Sequence, residues 1–311
     1  MKFLQLIRYQ NLLLIALMQF VFRYGFLKHQ ELPLTLYDWQ YGLLVLATLL
    51  IAAGGYVIND IMDQETDRTN KPGKVIVGQS ISEATAYNWY FGLNIAGMLI
   101  GYYLADFVNK TSFFGIFIIS SALLYLYATS LKQMAVVGNV IVALILAFSV
   151  IIIGMFDIIP LFPYVSLEQS ANMKVLLSIL LDYAIFAFVI NLMREIVKDA
   201  EDMEGDDKEG MRTLPVIIGI TKTTRLVFGI GLLATALLLW YINDNLMNNQ
   251  LYTAVIYSLI TVIGPMVFFL IKIWNASTKN DFRLLSAVLK YIILFGILSV
   301  IVITYNIKAN G

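Results

Sequence analysis

Two acidic stretches, far apart in the chain, carry three aspartates each at one shared spacing. They are Asp60, Asp63 and Asp67 in the first stretch and Asp199, Asp202 and Asp206 in the second. On an α-helix, residues at i, i+3 and i+7 project from one face over two turns, so each set would form a row of carboxylates. Such a row, at the end of an apolar segment, is self-repelling unless a cation is bound between its members.

Magnesium is the cation that these side chains favour. Mg²⁺ prefers hard oxygen ligands, usually takes one or two carboxylates, and completes its shell with water and substrate phosphate. Arg68, Asn70 and Lys71 follow the first set within one short loop. Carboxylates for a metal followed by donors for phosphate are what a metal–diphosphate site needs. The alternative is a helix C-terminus with solvated charges, and it would be preferred for any of these residues taken alone.

The second set extends a longer polar stripe. Asn191, Glu195, Asp199 and Asp202 follow one another at intervals of four, four and three residues, which places them on one helix face. Polar groups within a membrane-spanning helix are costly and by default mark a site or a pathway. We therefore expect this stripe to face the interior of a helix bundle.

The composition requires a membrane setting for both sets. Of 311 residues, 59% are hydrophobic and 14% charged, and the mean hydropathy is +0.78. These values predict a polytopic all-α membrane protein, which we interpret as one domain over residues 1–311. The net charge of zero gives no indication of nucleic acid as a partner, and no obligate protein partner is evident. The chain has no cysteine for thiol or Fe–S chemistry, and its single histidine makes no zinc site.

Nine segments approach the roughly 20 apolar residues that a membrane crossing needs. They are Tyr9–Leu27, Tyr41–Asn59, Tyr87–Ala105, Ser112–Leu131, Gln133–Phe156, Val175–Met193, Leu226–Asn243, Leu251–Ile271 and Leu284–Ile307. With a cytoplasmic N-terminus and nine crossings, fifteen lysines and arginines fall inside and five outside. Positive charge in short loops favours the cytoplasmic side, so we expect both acidic sets to face the cytoplasm from the cell membrane.

The motifs resemble those of a known family. The pattern NDxxDxxxD from Asn59 to Asp67, followed by Asn70 and Lys71, resembles the first signature of the UbiA superfamily of intramembrane prenyltransferases. The pattern DxxDxxxD from Asp199 to Asp206 resembles the second. Further similarities are the Tyr127 and Lys132 pair and, at the entry to the first helix, Arg8 and Asn11. Many members have an arginine where this chain has Lys71. Lysine keeps the positive charge but cannot make the two parallel hydrogen bonds to phosphate that an arginine makes.

The resemblance implies roles for these residues. Asn59 would join the six aspartates as metal ligands for two Mg²⁺ ions. The residues expected to act in catalysis are Asp63, Asp67, Asp199, Asp202 and Lys132. Those expected to bind substrate are Arg8, Asn11, Arg68, Asn70, Lys71, Tyr127, Lys198 and Arg212. The run from Arg194 through Gly205 to Pro215 looks most like the digeranylgeranylglyceryl phosphate synthase branch, so the donor would be geranylgeranyl diphosphate and the acceptor geranylgeranylglyceryl phosphate.

Several alternatives stay open from the residues themselves. Lys132 could be an ordinary topology anchor at a helix end. The acceptor could be aromatic, of the hydroxybenzoate, dihydroxynaphthoate or homogentisate type. Cations beyond those serving the diphosphate favour a phosphate-bearing acceptor; they are Arg8, Lys132, Lys198 and Arg212. A secondary transporter is disfavoured, because its buried carboxylates would lie near the bilayer midplane in inverted repeats.

Overall fold

The computed structural model describes residues 2–65, 73 and 75–310. Within these residues the chain is helical, without a β-strand, which confirms the all-α class. The α-helices are α1 Lys2–Leu6, α2 Tyr9–Gly25, α3 Asp38–Met62, α4 Glu83–Phe107, α5 Phe114–Thr129, α6 Val137–Asp157, α7 Leu167–Lys208, α8 Leu214–Ile218, α9 Ile220–Tyr241, α10 Tyr252–Ser258, α11 Gly264–Ile273 and α12 Lys279–Asn310. Short π-helical segments, Ile242–Met247 and Leu259–Ile263, extend α9 and join α10 to α11.

Eight helical segments in the described part of the chain are long and apolar enough to cross a membrane. They are Tyr9–His29, Asp38–Met62, Thr111–Thr129, Val137–Tyr164, Leu167–Lys208, Ile220–Met247, Tyr252–Ile273 and Lys279–Ala309. The chain is therefore an integral multi-pass membrane protein. The predicted span Tyr87–Ala105 lies within α4, a continuous helix of 25 residues that is not among these eight. The count of nine and the side of the N-terminus stay predictions.

Helix α7 is much longer than the span predicted within it. Its 42 residues extend about 63 Å at 1.5 Å per residue, twice the apolar thickness of a bilayer. The apolar segment Val175–Met193 occupies its middle, and the helix continues unbroken from Arg194 to Lys208. The second acidic set is thus carried on the polar extension of a membrane-spanning helix.

The chain divides into two compact units. Unit 1 comprises Met1–Gln19, Leu32–Gln133 and Phe148–Asp182, and unit 2 comprises Phe20–Glu31, Met134–Ala147 and Tyr183–Gly311. In unit 1, helix α3 packs closely on its neighbours because small residues face bulky ones: a Cβ on Gly54 would collide with Asn94, and a Cβ on Gly55 would lie 2.8 Å from Leu124. The Asn94 side chain accepts a 2.6 Å hydrogen bond from the Ser121 hydroxyl. This packing fixes the direction in which α3 carries the first acidic set.

In unit 2, helices α7 and α12 pack antiparallel. The Tyr183 and Ser299 hydroxyls lie 2.8 Å apart at one level, and Arg283 Nε donates to Glu201 Oε1 at 3.3 Å at another. Between these levels, a Cβ on Gly296 would lie 3.1 Å from the Phe186 ring. The buried core of unit 2 includes Met193 and Phe269. The start of α12 is therefore held beside the polar extension of α7.

Candidate functional site

The first acidic set lies where α3 ends. Asp63 is the C-cap, with φ −92° and ψ 8°, and its backbone N–H donates to the Asn59 carbonyl at 2.9 Å. The Asn59 amide also donates to Asp63 Oδ2 at 2.7 Å, so the residue before the motif orients its second carboxylate. Helix α3 ends at Met62, so Asp60 lies on the helix and Asp63 caps it, and one shared face for all three aspartates stays a prediction. Asp67, Arg68, Asn70 and Lys71 lie outside the described residues.

Arg8 joins this set from the N-terminal turn. Its guanidinium donates to Asp60 Oδ1 at 3.0 Å and lies 5.0 Å from the centre of the Tyr56 ring. Partial desolvation opposes the charge of Arg8, but Asp60 and Tyr56 outweigh it, so the pKa of Arg8 lies above its ordinary value. Asn11 donates to the Tyr56 hydroxyl at 3.3 Å. Two of the residues expected to bind substrate therefore contact the last two turns of α3.

Arg8 adopts an uncommon backbone conformation between α1 and α2. Its φ of 49° lies in the left-handed region, which L-residues with a Cβ rarely occupy. The Arg8 carbonyl accepts from the Asn11 N–H at 2.8 Å, so the strained turn also starts α2. The chain holds this conformation where the guanidinium meets a motif aspartate, and strain of that kind clusters at functional sites.

Lys132 forms an ion pair with Asp63. It lies in the 3₁₀ turn Leu131–Gln133 after α5, and its ammonium contacts Asp63 Oδ1. The lysine and aspartate side chains are only 11% and 17% exposed. A topology anchor would extend toward water or lipid phosphate, whereas this lysine is turned onto a motif carboxylate, which favours a role at the site. Tyr127, five residues earlier on α5, is half-buried.

The second acidic set lies on one uninterrupted helix, as its spacing predicts. The Asn139 amide donates to Asp199 Oδ2 at 2.8 Å, and the Lys279 ammonium lies 3.9 Å from Asp202 Oδ1. The buried Asp206 accepts from the Thr213 hydroxyl at 3.2 Å. The first two motif aspartates are thus reached from α6 and from the start of α12, and the third by the segment just after α7.

A glycine ends the helix that carries the second set. Gly210 has φ +70°, and the Met211 N–H donates to the Asp206 carbonyl at 2.9 Å, a left-handed C-terminal cap. The turn brings Thr213 back to Asp206 and places Arg212 in an isolated bridge with Met134. The Arg212 side chain is exposed. Its assignment to substrate stays a prediction.

The predicted substrate ligand Lys198 already has a partner. Its ammonium donates to Glu195 Oε1 at 2.6 Å, and Arg194 Nη1 donates to the same oxygen at 3.3 Å. Asn191, at the start of the polar stripe, donates to the Ala187 carbonyl of its own helix at 2.8 Å. In this structure, therefore, Arg194 and Lys198, which flank the stripe, both donate to Glu195.

Sequence reasoning missed several residues around the two sets. They are three partners of the motif aspartates, Asn139, Thr213 and Lys279, and the Tyr56 ring that contacts Arg8. Asn139 is 60 residues from Asp199, and Lys279 is farther still from Asp202, so no local spacing indicates either pair. Tyr56 could have been found, since it lies one turn before Asp60 on the same helix face.

The donor types fit magnesium, although the described residues contain no cluster of three or more acidic, histidine or cysteine side chains arranged around one point. Asn59, Asp60 and Asp63 supply hard oxygens in unit 1, and the second set supplies carboxylates in unit 2. Mg²⁺ needs only one or two protein carboxylates, because water and phosphate complete its shell. In the structure, Arg8 and Lys132 supply the positive charge beside the first set.

Comparison with known proteins agrees with this chemistry. Residues 17–302 match the UbiA prenyltransferase family. The chain belongs to that family. Among curated relatives, digeranylgeranylglyceryl phosphate synthase of Methanoculleus marisnigri is 37% identical over 198 residues, covering 63% of this chain and 64% of the relative. The synthase of Methanosphaera stadtmanae is 28% identical over 234 residues, covering 75% of each chain. The matched part of this chain covers just under two thirds of the length of most of these curated relatives.

Solved structures of the family share the fold over nearly the full length. One, from a study of digeranylgeranylglyceryl phosphate synthase in membranes, has a TM-score of 0.65 and 25% identity, covering 97% of both chains. A UbiA homolog from Archaeoglobus fulgidus bound to DMAPP and Mg²⁺ has a TM-score of 0.61 and 16% identity, covering 96% of this chain and 99% of that chain. The helical architecture is therefore that of the UbiA family.

Proposed function

We propose that this protein is a Mg²⁺-dependent prenyltransferase that moves a geranylgeranyl group from its diphosphate to the free hydroxyl of geranylgeranylglyceryl phosphate. The observation that carries the prenyltransferase assignment is the arrangement around Asp63, where Asn59 and Lys132 hold a mostly buried carboxylate at a helix end. The relatives named digeranylgeranylglyceryl phosphate synthase support the acceptor.

In the proposed reaction, the bond between the allylic C1 and the diphosphate oxygen breaks, and the diphosphate leaves with the electron pair. The acceptor hydroxyl oxygen then attacks the allylic cation and forms an ether. Its proton passes to an oxygen of the departing diphosphate. Catalysis must stabilise negative charge on the leaving group and exclude water from the cation.

The residues of the two acidic sets divide these tasks. Asn59, Asp60 and Asp63, with Asp67, would hold one divalent cation, and Asp199, Asp202 and Asp206 would hold a second. When bound, Mg²⁺ supplies Lewis-acid stabilisation of the diphosphate charge. Arg8 and Lys132, which pair with motif carboxylates in this structure, contribute positive charge toward the same leaving group. The loop residues Arg68, Asn70 and Lys71 would bind the diphosphate as hydrogen-bond donors.

The apolar part of the bundle shelters the cation and the chains. A prenyl tail is as apolar as the lipid around it, so it needs only an apolar lining with aromatic faces that tolerate positive charge. We place the reaction at the cytoplasmic face of the cell membrane, following the bias of positive residues. Single cysteines at Met211 and at Asn248, in a chain that otherwise has none, should be labelled from the cytoplasmic and the outer side respectively; the reverse pattern would refute this placement.

The test is a panel of acceptors. Purified protein, Mg²⁺ and radiolabelled geranylgeranyl diphosphate are combined with geranylgeranylglyceryl phosphate or with 4-hydroxybenzoate, dihydroxynaphthoate or homogentisate. We expect a labelled ether only with the glyceryl phosphate. A product with an aromatic acceptor alone would refute the acceptor but leave the prenyl transfer standing. No product and no diphosphate release with any acceptor would refute the transferase.

A further inference from the structure

Arg194 carries a hydrogen-bond donor that the described part of the chain does not satisfy. Its side chain is 17% exposed, and Nη1 donates to Glu195 at 3.3 Å. Its Nε is buried and has no partner within the described residues. Leaving a buried donor of a charged group unsatisfied is costly, so such an atom indicates a missing acceptor.

A second cation faces Arg194 from the neighbouring helix. Arg194 and Lys290 each lie two helical turns from the Glu201–Arg283 ion pair, on α7 and α12 respectively, so the antiparallel register brings them to one level. Lys290 is within electrostatic reach of Arg194. Like charges placed together in membrane-spanning helices are unfavourable unless anions balance them. Glu195 is one such anion, but Arg194 shares its Oε1 with Lys198, so the local excess of positive charge suits a further anion.

The position of this pair along α7 suits a lipid headgroup. Arg194 is the first residue after the apolar segment Val175–Met193. At this level the headgroup of a lipid meets its chains. Asp199, the first motif aspartate, lies about 7.5 Å farther along the helix axis. A phosphate held at Arg194 would leave a glycerol-sized group within reach of the acidic set.

We infer that Arg194 and Lys290 bind the phosphate of the lipid acceptor, and this inference rests on the proposed function. A guanidinium and an ammonium are the two side chains that suit a phosphate monoester, the first through directed N–H donors and the second as a point charge. Neither residue belongs to the metal motifs, and neither is one of the cations, Arg8 and Lys132, that pair with the first acidic set. It would distinguish an acceptor lipid that carries a phosphate from one that ends in a plain hydroxyl.

Binding is measured first, without Mg²⁺, so that the acidic sets contribute no metal-bound anion site. The probe is a short-chain glyceryl ether phosphate. Two comparison ligands are the same ether without its phosphate and inorganic phosphate alone. We expect wild-type protein to bind the ether phosphate and to bind it at least about tenfold more weakly after Arg194→Gln or Lys290→Met. Lys290→Arg, which keeps the charge, should retain binding. Lys308→Met, which removes a charge at the opposite end of α12, should change nothing.

Turnover then separates the acceptor from the donor. In Arg194→Gln and Lys290→Met, the KM for geranylgeranylglyceryl phosphate should rise at least about tenfold while the KM for geranylgeranyl diphosphate stays unchanged. A rise in the KM for the diphosphate alone would mean that these cations serve the donor, and the inference would be wrong. Equal binding of the ether phosphate by wild type and both variants would also overturn it. A third outcome separates this site from the proposed function. If wild type binds the ether phosphate and the variants do not, but wild type transfers no prenyl group, this site is supported and the proposed function is refuted.

Discussion

Two aspartate sets with one spacing have different surroundings in this molecule. Asp63 caps the end of α3 and pairs with the ammonium of Lys132, whereas Asp199 lies inside α7 and accepts from the neutral amide of Asn139. Asp63 therefore has a protein countercharge in direct contact, whereas the ammonium of Lys279 in the second set lies 3.9 Å from a different aspartate, Asp202. The carboxylate of Asp199 has a neutral hydrogen-bond donor instead. Equal spacing in the sequence does not give equal electrostatics, and the two sets should respond differently to the same substitution.

The largest expected effect is common to both sets. Asp63→Ala and Asp199→Ala should each lower Mg²⁺-dependent release of diphosphate from geranylgeranyl diphosphate by at least about a hundredfold, because each removes a carboxylate that would hold the Mg²⁺ that stabilises the leaving-group charge. Radiolabelled diphosphate release by purified protein measures this. Asp244→Ala, in the exposed part of the π-helical segment Ile242–Met247, is the matched control and should keep full activity. Near-normal turnover in either motif variant would contradict its assignment.

Stability should separate the two sets. Asp63→Asn leaves the mostly buried Lys132 without its carboxylate, so we expect the free energy of unfolding to fall by about 2–3 kcal/mol. Asp199→Asn keeps an oxygen that accepts from Asn139, so its loss should be below about 1 kcal/mol. Unfolding of both variants in one detergent gives the comparison.

A double variant isolates the cause. Lys132→Met combined with Asp63→Asn removes both charges, and it should recover most of the stability lost by Asp63→Asn alone without recovering activity. The proposed electrostatic difference between the sets would be wrong if Asp199→Asn were as destabilising as Asp63→Asn. It would also be wrong if the double variant recovered no stability.

The smallest expected effect concerns how the second helix ends. Gly210→Ala should cost about 1 kcal/mol, because φ +70° is unfavourable for a residue with a Cβ even though nothing lies within 4 Å of that position. Gly229→Ala in α9 meets equally open space at an ordinary helical φ and should be neutral or slightly stabilising. Thermal unfolding of the two variants is the measurement. Equal stability would show that the cap of α7 does not depend on this glycine.

Periodicity predicted what is local and repeated. The rows of apolar residues predicted the helices, and the interval between Asp199 and Asp206 predicted a continuous polar face on α7, which the structure confirms. Apolar length alone could not predict how far α7 continues after Met193, since polar residues with good helix propensity extend a helix without burying it.

What sequence spacing could not predict depends on contacts between distant residues. The interval between Asp60 and Asp67 is compatible with a helix, but α3 ends at Met62. Just beyond this end, Asp63 contacts the Asn59 side chain and the ammonium of Lys132, which is 69 residues away. Asn139 opposite Asp199 is a contact of the same kind. In each case the sequence identified the carboxylate, and the folded chain selected its partner.

The central claim is that both acidic sets bind the metal for one prenyl transfer, and the Mg²⁺ dependence of turnover tests it most directly. Initial rates with geranylgeranyl diphosphate and geranylgeranylglyceryl phosphate are measured against Mg²⁺ concentration for wild type, Asp63→Asn, Asp199→Asn and Asp244→Asn. We predict no transfer without Mg²⁺, and a half-saturating Mg²⁺ concentration at least about tenfold higher in both motif variants but unchanged in Asp244→Asn. A shift in only one motif variant, or transfer in metal-free buffer, would contradict the account.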